Sequence, residues 1–162
     1  MLSIVLHTHN SAEGLARSLA ALVPAVIDGV LRRVIVIDAG SQDQSLMVAE
    51  QMGCDVFPET KFEEALEGIS TGWLLLLQPG AILPEGWEAI ARKHMEESQS
   101  PARFSLAKEK GWPWLGRLFS RKPGLEAGLL APLEMLRPIL NNAADLEKAP
   151  AQLKSVRLPI VI

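Results

Sequence analysis

The chain has 162 residues, is 48% hydrophobic and carries 16 Lys+Arg against 19 Asp+Glu, which is the size and composition of one globular domain. A net charge of -3 on so apolar a chain excludes general disorder and a nucleic-acid binder held by bulk charge. Cys54, the single cysteine, allows no internal disulfide, and the opening Met1-Leu2-Ser3-Ile4-Val5-Leu6 lacks the cationic start of a secretory signal, so the cytoplasm is the expected compartment.

In chain order, residues 2–7 read as a short buried strand ending in the polar run Thr8-His9-Asn10. Asn10 and Ser11 offer N-cap chemistry, and Leu15, Leu19, Leu22 and Val26 recur at helical spacing, which predicts one helix. The apolar run 19–27 contains Pro24 and is too short to span a bilayer. Residues 33–37 are a second buried strand, closed by Asp38-Ala39-Gly40-Ser41. Ser41 and Gln44 have the spacing of a capping box for a helix running to Gly53. A third strand is predicted at 55–57, a partly helical stretch at 61–68, and a central strand at 73–77 that stops at Gln78-Pro79-Gly80. A helix over 84–96 and a strand at 103–107 follow, and residues 124–140 are expected to pack on the sheet or line a groove. Strands alternating with helices predict an α/β fold, with a mostly parallel central sheet covered by helices on both faces. Ligands in such sheets bind beyond the carboxyl ends of the strands, where the clusters 7–10, 38–43 and 78–80 fall.

Those three clusters resemble the family 2 glycosyltransferases, whose Rossmann-like fold is the nucleotide-diphospho-sugar transferase type called GT-A. The resemblance rests on His7-Thr8-His9-Asn10, on Ile37-Asp38-Ala39-Gly40-Ser41-Gln42-Asp43, on Ala49-Glu50-Gln51-Met52-Gly53, and on Trp73 to Gln78 running into Leu83-Pro84-Glu85-Gly86-Trp87. It covers residues 2 to about 95 and implies a nucleotide-sugar ligand, UDP- or GDP-linked. By the resemblance, His7, Thr8 and His9 flank the base and ribose, Asp38 accepts hydrogen bonds from the nucleotide as acceptor-only carboxylates do, and Gly40 and Ser41 turn the chain beside it. Turn and cap roles are the competing reading of Asp38 and Ser41.

The sequence departs from the family at two places. Carboxylates of the Asp-x-Asp motif, which hold a divalent cation on the diphosphate, are replaced by Gln78, Pro79 and Gly80. The expectation is therefore a site without a metal cofactor, its phosphate side formed by Gln78 and Gly80 with Arg117 and Arg121. The catalytic base, an Asp in a Glu-Asp-like segment of active relatives, matches Asp145 in Asn142-Ala143-Ala144-Asp145, where a helix cap is the competing reading. His7 and His9 are two residues apart on a strand, enough for half a zinc site and no more. Cys54 reads as an inert packed thiol.

Arg103 to Lys122 holds six cations against Glu109 alone, interleaved with Trp112, Trp114 and Phe119. That composition suits an anionic membrane surface or a lipid-linked phosphate, or a basic loop with inward tryptophans. The expected whole is a single domain over 1–162, with a nucleotide-sugar-binding half at 1–100 and a shortened acceptor half at 101–162. Two functions stay open at this level. One is sugar transfer to a cell-envelope acceptor at the inner membrane surface. The other is a non-catalytic relative that binds or regulates.

Overall fold

The computed structural model describes residues 1–81, 83–104 and 124–158. Among them, β1 (Leu2–Thr8), β2 (Leu31–Asp38), β3 (Asp55–Pro58), β4 (Trp73–Leu77), β5 (Ala102–Phe104), β6 (Leu129–Pro132) and β7 (Val156–Leu158) form one sheet in the order β3-β2-β1-β4-β6-β5-β7. The first four strands pair in parallel. Their crossovers carry α1 (Ala12–Ala20) and α2 (Val23–Ile27), then α3 (Ser45–Gln51), then α4 (Phe62–Glu67). After β4, α5 (Trp87–Glu97) leads to β5. β6 runs antiparallel to β4 and to β5, and α6 (Leu133–Leu136) and α7 (Ala143–Gln152) precede β7. The α/β fold with a mostly parallel sheet is as expected.

The side-chain pattern explains why this sheet is covered on both faces. All five residues of β4 are buried. Leu75 and Leu77 pack with Ile4, Leu6, Leu15, Leu19 and Trp87 on one face, while Leu74 and Leu76 pack with Val5, Ile35, Ile37, Phe62 and Leu146 on the other. A strand without polar alternation requires that arrangement, and each leucine so buried contributes about 1.5–3 kcal/mol.

Three elements differ from the sequence reading. The single helix predicted from Leu15 to Val26 is broken, because Pro24 has no N–H to continue the ladder and its ring would clash with the carbonyl four residues back. The chain restarts as α2, and Val26 ends up 57% exposed. The second difference is β6, a strand inside the stretch read only as packing. Its run Leu129-Leu130-Ala131-Pro132 shows no period-2 pattern, since all four residues are buried. The third is β7, three residues long, which pairs with β5 in the register Ala102↔Val156, Arg103↔Arg157 and Phe104↔Leu158. No helix among the described residues is long and apolar enough to cross a membrane.

Candidate functional site

The carboxyl ends of β1, β2 and β4 meet at one edge of the sheet, and the loops that leave them are tied to one another by side chains. The backbone and side chains of the segment after β1 are laced to the loop after β2 and the start of α3. Asn10 N donates to Ser41 Oγ at 3.0 Å, Gln42 N to Asn10 Oδ1 at 2.8 Å, Ser11 N to Ser45 Oγ at 3.0 Å, and Ala12 N to Asp43 Oδ2 at 3.0 Å. The caps predicted from local spacing are thus exchanged between loops. Ser11 sits at the N-cap of α1 with no cap bond of its own, and the first turn of α1 is served by Asp43. Ser41 does not open α3, which begins at Ser45 after Gln44. Hydrogen bonds from Ser45, then from the Ala12 amide, hold Asp43 below its ordinary carboxylate value.

Asp38 ends β2 abreast of Thr8, which ends β1. Its Oδ2 accepts the N–H groups of Gly40 and Ser41 at 2.9 and 3.0 Å, and Gly40 completes the turn at φ +81°. Bonds to a charged acceptor contribute about 1.5–3 kcal/mol each, so the turn role of Asp38 is substantial. Its other oxygen, Oδ1, is buried without a hydrogen-bond partner, and so is Thr8 Oγ1. The two residues are register partners at the ends of neighbouring strands, and buried polar atoms without a partner call for one; Arg103 Nε on β5 is a third such atom among the described residues.

The residues in place of the metal motif form a turn. Ala81 N donates to Gln78 O at 3.0 Å, with Pro79 at the second position and Gly80 at the third with φ +88°. That is the signature of a type II turn. The turn is pinned to α1, since Gly80 N donates both to Gly14 O at 3.0 Å and to Ser18 Oγ at 2.9 Å. The close approach has a sequence cause at Gly14, where an added Cβ would lie 3.1 Å from Gly80 N. Sequence reasoning missed Gly14 and Ser18, although a glycine inside a helical pattern was a signal of close backbone approach.

The two histidines separate. His7 points to the face carrying α4 and α7, where its Nε2 lies 2.6 Å from Glu59 Oε1 and its Nδ1 3.8 Å from Glu147 Oε1. His9 lies beyond the end of β1, with Nδ1 3.0 Å from Ala39 O and Nε2 beside Asn10. They do not form a shared ligand pair. Asp145 is the third residue of α7. Its Oδ2 accepts from the Asn141 and Asn142 amides at 3.1 and 3.3 Å, and its Oδ1 pairs with Lys148 at 3.3 Å. The Asn141 amide is the leading reason its carboxyl is held below the ordinary value, with Lys148 adding to it. Asn142 and Asp145 make a capping box. Glu59 and Glu147 were not singled out by sequence, because they meet only through the fold. Cys54 is half-buried, and burial pushes its thiol up to about 11. Arg117 and Arg121 lie outside the described residues, as does most of the basic aromatic segment. Arg103 is described. It is buried on β5 and donates to the Pro150 carbonyl near the end of α7.

No protein-family profile matches the chain, and no curated protein sequence matches it. Solved structures do match. Glucosyl-3-phosphoglycerate synthase from Mycobacterium tuberculosis, in complex with Mn²⁺, UDP and glucosyl-3-phosphoglycerate, is similar at a TM-score of 0.67 and 16% identity, over 99% of this chain and 70% of that one. The same enzyme with Mg²⁺ and UDP gives the same values. A further mycobacterial protein matches 86% of this chain and 55% of its own at a TM-score of 0.62. The architecture is therefore the Rossmann-like GT-A type, and the likeness is one of fold.

These structures correct the expectation of a site without a metal cofactor, since the fold's solved neighbours hold Mn²⁺ or Mg²⁺ together with UDP. The physical reason is charge. Asp38 ends β2, Asp43 and Glu59 lie just beyond the ends of β2 and β3, Glu147 approaches His7 on β1, and a bare diphosphate would meet these carboxylates. The residues at hand do not by themselves reproduce a carboxylate cage. Gln78 offers one amide oxygen, Gly80 none, and no group of three His, Cys, Asp or Glu side chains suited to a metal converges among the described residues.

Proposed function

We propose that the protein binds a nucleotide-sugar, UDP- or GDP-linked, at the carboxyl edge of β1, β2 and β4, and that it is a glycosyltransferase acting on a hydroxyl acceptor of the cell envelope. The single observation that carries this reading is the pair of buried, unpartnered atoms at the ends of β2 and β1, Thr8 Oγ1 and Asp38 Oδ1, the latter on the carboxylate whose other oxygen holds the turn at 39–41. An imide or ribose donor satisfies the Asp38 oxygen once that turn gives way, and the laced segments at 9–12 and 39–45 supply the walls. His7, Thr8 and His9 flank the base and ribose, Gly40 and Ser41 edge the nucleotide, and Gln78 and Gly80 face the phosphates. The nucleotide half is residues 1–100 and the acceptor half 101–162, where Asp145 and the cationic side chains Arg117 and Arg121 belong. The basic aromatic composition of 103–122 suits an acceptor at an anionic, inner-membrane surface.

Calorimetric titration with UDP-glucose, UDP-galactose and GDP-mannose, each with Mg²⁺, with Mn²⁺ and with neither, tests the reading. Binding of one donor, weakened about tenfold in Asp38→Asn by the loss of one charged hydrogen bond, is the expected result. No binding of any donor under any of these conditions refutes it. A second reading, a non-catalytic relative that binds or regulates, is favoured by the type II turn at Gln78 to Ala81. There a family carboxylate is replaced by a glycine at φ +88°. Donor binding without any release of nucleoside diphosphate selects that reading.

A further inference from the structure

A type II turn is closed by one hydrogen bond, here from Ala81 N to Gln78 O. The turn after β4 carries a second set of bonds, and all of them go to α1. Gly80 N donates to Gly14 O at 3.0 Å and to Ser18 Oγ at 2.9 Å, while the Ser18 hydroxyl donates to Ala81 O at 3.2 Å. One side chain thus grips the turn by an N–H and by a carbonyl, using its donor and an acceptor site together. Ser18 is 1% exposed and lies four residues after Gly14, so the two share a stripe of the helix. Leu15 and Leu19 already seat that helix in the core. Glycine is a poor helix former, and a hydroxyl buried among leucines needs partners. Both residues weaken α1 as a helix, and both make sense as a seat for the turn.

The same helix is tied to the other side of the site. Ala12 N donates to Asp43 Oδ2 and, just before the helix, Ser11 N donates to Ser45 Oγ, both at 3.0 Å. The first two turns of α1 therefore join the loop after β2, where the nucleoside is assigned, to the turn after β4, where the diphosphate is assigned. From this geometry we infer that Ser18 is a positioning residue for the donor's diphosphate, a role that rests on the nucleotide-sugar reading above. It fixes the turn at one height on α1 and so sets the span between the two halves of the site. Ser18 touches no ligand and acts through the turn. The Gly80 N–H is directed to Gly14 and Ser18 and is not offered to a phosphate. Gln78 is the only residue of the turn with a polar side chain, and it moves wherever the turn moves. An error in the height of the turn falls on the phosphates, because the nucleoside is held by residues on β1 and the loop after β2.

Ser18→Ala removes the hydroxyl and keeps a strong helix former, and the Gly80 N–H retains Gly14 O, so the variant folds. Ser18→Thr keeps the hydroxyl. With Mg²⁺ present throughout, UDP and GDP are titrated calorimetrically into the full chain and into both variants. The nucleoside of whichever diphosphate binds more tightly is titrated on the same samples by amide chemical shifts, and denaturant midpoints are recorded. Ser18→Ala is expected to bind the diphosphate about tenfold more weakly and the nucleoside within about twofold of the unaltered chain. Ser18→Thr is expected to recover most of the diphosphate affinity. A role in folding alone lowers the midpoint of Ser18→Ala and leaves the diphosphate affinity of the folded protein unchanged. That result, or an equal weakening of nucleoside and diphosphate, overturns the inference and leaves the binding reading standing. Failure of UDP, GDP and all three sugar nucleotides to bind the unaltered chain overturns the binding reading itself.

Discussion

At the scale of single residues, the site is governed by how closely backbones approach. Gly14 and Gly80 touch across the join between α1 and the turn after β4, and each is glycine for a different reason. Gly80 sits at φ +88°, where an L side chain costs about 1–2 kcal/mol. Gly14 has an ordinary helical backbone, but a Cβ there would press on Gly80 N at 3.1 Å and on Pro79 C at 3.3 Å. Those are backbone atoms that cannot rotate away. Gly14→Ala is therefore expected to push the turn off α1 and lose about 1–3 kcal/mol in denaturant unfolding, in the range of overpacked sites. It should also weaken donor binding, because the displaced turn carries Gln78 and Gly80. Unchanged stability together with unchanged binding would contradict the close approach. The same scale sets Asp38 apart from an ordinary turn residue. A turn needs only the oxygen that holds Gly40 and Ser41, and the second oxygen is left buried and unpartnered.

At the scale of elements, the N-terminus of α7 is fixed by the capping box of Asn142 and Asp145. The folded protein holds the Asp145 carboxyl below its ordinary 3.8, chiefly through the Asn141 amide. A depressed folded value means that Asp145 contributes stability above pH 3.8, and that this contribution is lost as the pH falls below 3.8 through the folded value. Asp145→Asn is expected to unfold at lower denaturant than the unaltered chain at neutral pH, with the gap closing on acidification. A gap that stays constant with pH would remove the carboxylate from the account of the cap. The elements also show what can be read from sequence. β1, β2 and β4 were legible because a short run such as Trp73 to Leu77, buried on both faces, admits few alternatives. β6 and β7 were not, since four buried residues ending in Pro132 and three residues around Arg157 carry no period. The helix at 15–26 was misjudged because spacing was weighed above the proline within it.

At the scale of the molecule, the chain's mild average charge conceals its distribution. Cations gather in the sequence between Arg103 and Lys122, while Asp38, Asp43, Glu59 and Glu147 gather about the carboxyl ends of the parallel strands. The three polar clusters were placed at strand ends by sequence alone, and the sheet order brings those ends together. The interlacing of 9–12 with 39–45, and the grouping of Glu59, His7 and Glu147, were beyond sequence because their partners are about 30 to 140 residues apart. The central claim is that a nucleotide-sugar enters at this edge, and amide chemical-shift mapping locates it most directly. Titration with the tightest-binding donor and Mg²⁺ is predicted to move the amides of Asn10, Ala39, Gly40, Ser41 and Gly80. Shifts confined to the distant cavity of about 410 Å³ lined by Asp28, Ala89, Arg92, Lys93 and Glu96, or no shifts at all, would contradict it.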